Sequence, residues 1–317
     1  MITGLLGIGI GIGLAMQTAV NSRLRKFVIS PYLASMVSFF IGTLFLAITM
    51  LIIGEPFGIS INIFVKEPIW LWFGGFCGVI FLTVNILLFP KIGSIQTTAL
   101  PILGQIIMGI LIDHFGWFRS MKQPLDLHRA LGVILVLAGV FFAVALQDVL
   151  SKRRTNTINA PTAHKSQANQ WIWRLIGICA GMLLAVQVAI NGKLGSTLNS
   201  PVRAAFVSFL VGTLTLIVVT SLEERTFAGL NNAFKQKAPW WIWIGGILGG
   251  LYVLINVHLV GQIGTGQTVM LVLFGQVTGS LFVERLGLFG STKNKIALVK
   301  IIGLILMLAG IIIVKLL

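Results

Sequence analysis

The chain has 317 residues, 56% hydrophobic and only 10% charged, with a mean hydropathy of +0.99 and a formal net charge of +15. Soluble domains carry about 25% charged residues, so there is too little polar surface here to cover a soluble globule, and the class that fits is a membrane protein. The Lys and Arg residues fall between apolar runs, where they set topology against anionic headgroups; they do not form a nucleic-acid patch, and nucleic acid is excluded as a partner.

A spanning helix needs roughly 20 mostly apolar residues. The first such run is 2–21, which has neither the basic leader nor the cleavage site of a signal peptide. Segment 31–53 follows, opened by Pro31, then 69–89, where Trp70 and Trp72 sit at the start as an interfacial belt would. Segments 92–112 and 130–149 complete the first half; the polar, aperiodic stretch 151–170 is a linker. The second half supplies 171–190, 202–222, 240–260 (with Trp240, Trp241 and Trp243 at its start), 263–283 and 296–317. Cys77 and Cys179 each lie in an apolar run and make no disulfide or zinc framework.

The halves repeat. Positions 17–44 and 187–214 share thirteen identities at an offset of 170, among them Gln17, Asn21, Pro31, Ser38, Phe39, Gly42 and Thr43. From about residue 70 the offset is 171, and Trp72, Gly74, Gly75, Gly78, Asn85, Gln96, Gly104, Gln105 and Gly132 recur. The domains expected are therefore a five-helix repeat at 1–150, the linker at 151–170 and a second repeat at 171–317. An odd number of spans leaves the first unit on the far side of the bilayer, so the second must run upside down. The fold class is an all-α membrane protein of ten transmembrane helices in two inverted repeats, an arrangement of many secondary transporters.

Of the Lys and Arg residues, 7 fall on the side of the N-terminus (side A) and 16 on the other (side B). The positive-inside rule makes side B cytoplasmic, with the linker, and places both termini outside.

The runs QTAVNSRL…SPYLASMVSFFIGTL, WLWFGGFCG, GQ…DHFG and LGVILVLAG are repeated as QVAINGKL…SPVRAAFVSFLVGTL, WIWIGG, GQ…ERLG and IGLILMLAG. They resemble the YdcZ-like branch of the drug/metabolite transporter (DMT, EamA-like) superfamily, here as a fused pair of repeats covering nearly all of the chain outside the linker. The second copy departs from the first in having Glu284-Arg285-Leu286 in place of Asp113-His114-Phe115. The resemblance implies an inner-membrane permease, an exporter of a small solute, with a cavity between the halves.

No Lys, Arg, Asp or Glu lies near the centre of a span; the polar groups at depth are amides. Unsatisfied polar groups cost several kcal/mol each in hydrocarbon, so these should face the bundle interior or a wet cavity. Gln17 and Asn21 lie four apart on one helix face, as do Gln187 and Asn191; Gln105, Gly109 and Asp113 form a line, as do Gln276, Ser280 and Glu284. Inversion puts Gln17, Asn21, Asn85, Gln276 and Glu284 toward side B, and Gln187, Asn191, Asn256, Gln105 and Asp113 toward side A. With Gln96 and Gln267 these amides are the candidate cavity lining. The plainer alternative is interhelical glue, worth about 0.6 kcal/mol per hydrogen bond. Asp113 and Glu284, at span ends, are candidates for proton or cation coupling or are solvated interfacial carboxylates.

The Gly7-to-Gly13 alternation lacks a preceding strand and a following acidic residue, so it is packing and not a dinucleotide loop. No Walker loop, HExxH or nucleophile–base pair is present, and neither an enzyme activity, a cofactor nor a metal is expected. The function expected is a secondary active exporter of a small metabolite or drug-like solute, amphipathic or weakly charged, working by alternating access. A lipid-linked substrate flippase and a non-transporting scaffold are the rivals. The partners expected are the solute, the lipid bilayer and a second copy in a homodimer.

Overall fold

The computed structural model describes residues 2–146, 167–224, 228–291, 293 and 296–316, and among them there is helix and turn but no strand. The helices are α1 (Ile2–Val28), α2 (Pro31–Ile53), a short α3 (Ile61–Lys66), α4 (Gly74–Phe115) and α5 (Leu127–Val140), which continues as a π-helical turn at Phe141–Leu146. The second half gives α6 (Gln167–Thr197), α7 (Pro201–Glu224), a short α8 (Gly229–Lys235), α9 (Gly245–Ile263), α10 (Thr265–Leu286) and α11 (Leu298–Leu316). Most of the linker lies outside the described residues.

Local chemistry sets the boundaries. Ser30 caps α2, its Oγ accepting from the Leu33 N–H at 3.2 Å, with Pro31 at the first helical position and Gly54 closing the helix at φ 74°. Pro68 and Pro239 each precede a single 3-10 turn, Ile69–Trp72 and Trp240–Trp243, so the regular helix begins one turn later than the apolar pattern. Among the described residues seven helices are long and apolar enough to cross a membrane, and three shorter apolar stretches stand at Gly74–Val84, Ala99–Phe115 and Leu298–Val314.

The expected spans 69–89 and 92–112 form one helical stretch, α4, of 42 residues. Straight, it would be about 63 Å long, twice the hydrocarbon thickness of about 30 Å. It is not straight. A methyl built on Gly177 would lie 3.3 Å from Leu88 Cδ1 and 3.4 Å from Leu100 Cβ, two residues that a straight helix holds about 18 Å apart. The chain folds back between them. The second half does the same with an explicit break: Gly7 meets Leu259 of α9 and Leu271 of α10, and Gly264 between those helices takes φ 82°.

These contacts reveal exchanged packing. Each half's first helix lies in the hairpin of the other half. The Gly74–Leu88 leg runs antiparallel to α6, with Gly74 against Asn191 and Gly78 against Gln187, and the returning leg sets Gly104 against Ile178. On α1 the counterparts are Gly245 against Asn21, Gly249 against Gln17 and Gly275 against Ile8. α5 and α11 are antiparallel, since Gly132 meets Gly310 while Gly139 meets Gly303. On α2 and α7 the equivalent hydroxyls of Thr43 and Thr213 share a hydrogen bond at 2.9 Å, and the rings of Phe39 and Phe209 stack at 5.0 Å.

Glycine makes the close approaches. A side chain at Gly104 would meet the Ile178 carbonyl, whereas Gly9 has nothing within 4 Å. Gly104→Val is therefore expected to destabilise the protein by about 1–3 kcal/mol, and Gly9→Val to leave it unchanged. Thermal unfolding in detergent measures both, and equal melting temperatures would contradict this packing.

Candidate functional site

The first helix of each half carries two amides, and the other half's hairpin makes room for them with glycine. Gly249 and Gly245 back Gln17 and Asn21; Gly78 and Gly74 back Gln187 and Asn191. Asn21 Nδ2 donates to Ser38 Oγ at 3.1 Å. The Oε1 atoms of Gln17 and Gln187 and the Oδ1 atoms of Asn21 and Asn191 are buried without a hydrogen-bond partner. Such an acceptor costs about 1–3 kcal/mol of desolvation, so four of them on equivalent positions are a standing demand for donors.

Gln17, Asn21 and Gln187 line a cavity of about 420 Å³, together with Gln105 and Gln276. This is the size of a small-molecule site. Four of the five amides form two symmetry-equivalent pairs, Gln17 with Gln187 and Gln105 with Gln276. Phe39, Phe81, Phe209 and Tyr252 supply aromatic wall, and Thr18, Ser35, Ser38 and Thr97 supply hydroxyls. Among the described lining residues the one charged group is Arg25, at the mouth with Ser22 and Pro31. The aromatic residues were absent from the expected lining, although the recurrence of Phe39 as Phe209 was a usable signal.

The remaining candidates lie elsewhere. Asn191 and Asn256 are buried outside the cavity wall, and Asn256 shares a side-chain hydrogen bond with Tyr252. Gln96 accepts from Arg174 Nε at 2.9 Å, and Gln267 donates to Gln123 Oε1 at 3.3 Å. The side chain of Asn85 lies outside the described residues. His258 pairs with Gln262 one turn on, at 3.0 Å.

Asp113 is buried to 3% exposure at the end of α4. Its Oδ1 accepts from the Thr265 N–H at 2.9 Å and its Oδ2 from the Gly266 N–H at 2.8 Å, so it caps α10 of the other half. The crevice beside it, about 10 Å³, has room for one water and no solute. Glu284, its counterpart, is half-exposed and pairs with Lys300 at 3.1 Å.

The two ends of the bundle differ. End B, with Arg25 and Pro31, is where the cavity opens; Thr18, Ser22 and Arg25 there are exposed. Their equivalents at end A, Val188, Gly192 and Gly195, are buried, the two glycines packed against Val260 and Val257. End A is closed further by Phe57 on Phe206, and by Arg203 donating to the Gly58 carbonyl at 2.6 Å.

A chain helical throughout its described residues, with membrane-crossing helices and an internal cavity open at one end, belongs among multi-pass membrane transporters. The family is specific: the model described as "Putative inner membrane exporter, YdcZ" matches residues 2–142 and again 172–313. The chain belongs to this YdcZ family of the drug/metabolite transporters, as a fused pair of repeats, and is a multi-pass inner-membrane protein. A solved structure described only as "Crystal structure of protein" superposes with a TM-score of 0.66 at 14% identity, over 99% of this chain and 96% of that one; the likeness is one of fold. No curated protein matches in sequence.

Proposed function

We propose that the protein is a secondary active exporter of ten spans in two inverted five-helix repeats (1–150 and 171–317, joined by the linker 151–170), which moves a small solute by alternating access. Seven qualifying helices plus three shorter apolar stretches at the places of the third, fourth and tenth spans support the count. The antiparallel seam of α5 on α11 supports the inversion. The observation that carries the proposal is the cavity's asymmetry: two repeats that share thirteen identities over 17–44 and 187–214 surround an open mouth at end B and a closed one at end A. Under the positive-inside orientation, end B is cytoplasmic and the state is inward-open.

The wall suits an uncharged or weakly charged amphipathic solute. Among the described residues it offers amides, hydroxyls and aromatic faces, and no carboxylate to neutralise a cation in a low-dielectric site. Arg174 and Arg203, the basic groups that a flippase of anionic lipid-linked substrates would use, do not line the cavity. Coupling to a proton or cation gradient is assigned to Asp113 and Glu284.

Proteoliposomes loaded with nicotinamide, benzoate or tetraphenylphosphonium test this reading. Protein-dependent flux of the neutral probe, reduced about tenfold by Gln17→Ala, is the expected result. Flux confined to the cation would overturn the solute class, and no flux of any of the three the transport proposal. Asp113→Asn and Glu284→Gln are expected to slow flux and flatten its pH dependence; unchanged rate and profile would remove the carboxylates from coupling.

A further inference from the structure

The two carboxylates occupy equivalent positions, at an offset of 171, in unlike surroundings. At end A the Asp113 carboxylate holds the first two amides of α10. A strap ties down over it: Gln123 N–H donates to the Asp113 carbonyl at 2.7 Å, Gln123 Nε2 donates to the Ile263 carbonyl at 3.3 Å, and Arg129 Nη1 donates to the Gln123 carbonyl at 2.7 Å. Ser120 and Thr265 hydroxyls meet at 3.0 Å. At end B the counterpart of Arg129 is Lys300, and it is Lys300 that holds Glu284. The counterparts of Thr265 and Gly266 are Ser94 and Ile95, which lie where α4 folds back and do not follow a non-helical residue such as Gly264.

One structure thus holds a single device in two settings. Where the end is shut, the carboxylate caps the returning helix of the other half. Where it is open, the carboxylate sits on the cation that begins its own half's fifth helix. Resting on the alternating-access reading, we propose that Asp113 and Glu284 are exchanging caps: opening end A transfers Asp113 from the α10 amides to Arg129, and closing end B transfers Glu284 from Lys300 to the amides of residues 94 and 95. They act as positioning residues for the two gates. A cap suits this task because a carboxylate on a helix N-terminus draws on the helix dipole as well as on two hydrogen bonds, yet releases them together. In both settings the charge has a partner, so the exchange leaves no buried carboxylate unpaired.

The test reads accessibility and needs no substrate. In protein lacking Cys77 and Cys179, single cysteines are placed as Ser22→Cys at the open mouth or Ser208→Cys, buried in the end-A half. Both are labelled in proteoliposomes with a membrane-impermeant methanethiosulfonate. Asp113→Ala is expected to speed labelling at Ser208→Cys about tenfold, the range that loss of a strong cap allows, and to slow it at Ser22→Cys. Asp113→Asn, which keeps one acceptor, should fall between. Glu284→Ala should leave Ser208→Cys protected, because end B is already uncapped. A misfolded variant would speed both sites, so the opposed change identifies the gate. Unchanged rates in Asp113→Ala, or the same shift from Asp113→Ala and Glu284→Ala, would overturn the exchanging caps and leave alternating access standing. No labelling of Ser208→Cys in any variant would sink both.

Discussion

Cross-linking Gly195→Cys to Val257→Cys should reduce transport more than tenfold, and a reducing agent should restore it. Gly195 on α6 and Val257 on α9 are both buried in the closed end A. A Cβ built on Gly195 stands 3.8 Å from Val257 Cβ, the mean separation in a disulfide. The equivalent of Gly195 at end B is Arg25, which lines the open mouth. If the two ends alternate, helices that touch here must part in every cycle, and a covalent bond across them traps the state open at end B. Flux should fall because the solute can enter and cannot leave. The oxidised protein should still label at Ser22→Cys, which separates a locked carrier from an unfolded one. Oxidised protein that transports at the rate of the reduced form would mean that end A is not a gate.

What the residues disclosed in advance was symmetry. The recurrence of Gln17 as Gln187, Gly78 as Gly249 and Gly132 as Gly303 put the amides and their backing glycines on matching positions, and matching contacts join them in the fold. Period and composition determine which faces are apolar or small, and these survive folding because burial depends on them. Which end is open lies beyond such a pattern. Ser22 is exposed and its equivalent Gly192 is buried, although Asn21 and Leu24 beside it recur as Asn191 and Leu194. A repeat marks matching positions, and which of the matching contacts form is read only from the fold. The burial of Asp113, named as a candidate for coupling, was not legible for a similar reason. By position it is a carboxylate at a span end, expected to be wet, but a turn with positive φ at Phe118 and Arg119 folds the following segment back over it. The partners of Gln96 and Gln267 also come from elsewhere in the chain, Arg174 and Gln123. Pairings set by loop geometry leave no periodic trace.

Gln187→Leu should separate a solute site from interhelical glue, because the two roles predict stability changes of opposite sign. Gln187 is 6% exposed, and its Oε1 is buried with no hydrogen-bond partner. Glue would require that the amide bond a neighbouring helix, and its removal would then destabilise by about 0.6 kcal/mol or more. An unsatisfied acceptor is the reverse case: replacing it with an apolar group of similar shape is neutral or stabilising, since the desolvation penalty of about 1–3 kcal/mol is removed. The melting temperature in detergent should therefore hold or rise. Transport should fall by about tenfold, the equivalent of 1.4 kcal/mol lost from one hydrogen bond to the solute. Gln17→Leu, its symmetry mate on α1, is expected to behave alike, and the pair together should lose more than either alone. A lower melting temperature with flux intact would make these amides structural. The opposite pairing, stability kept and flux lost, follows only if the buried carbonyls are held in reserve for a molecule that comes and goes.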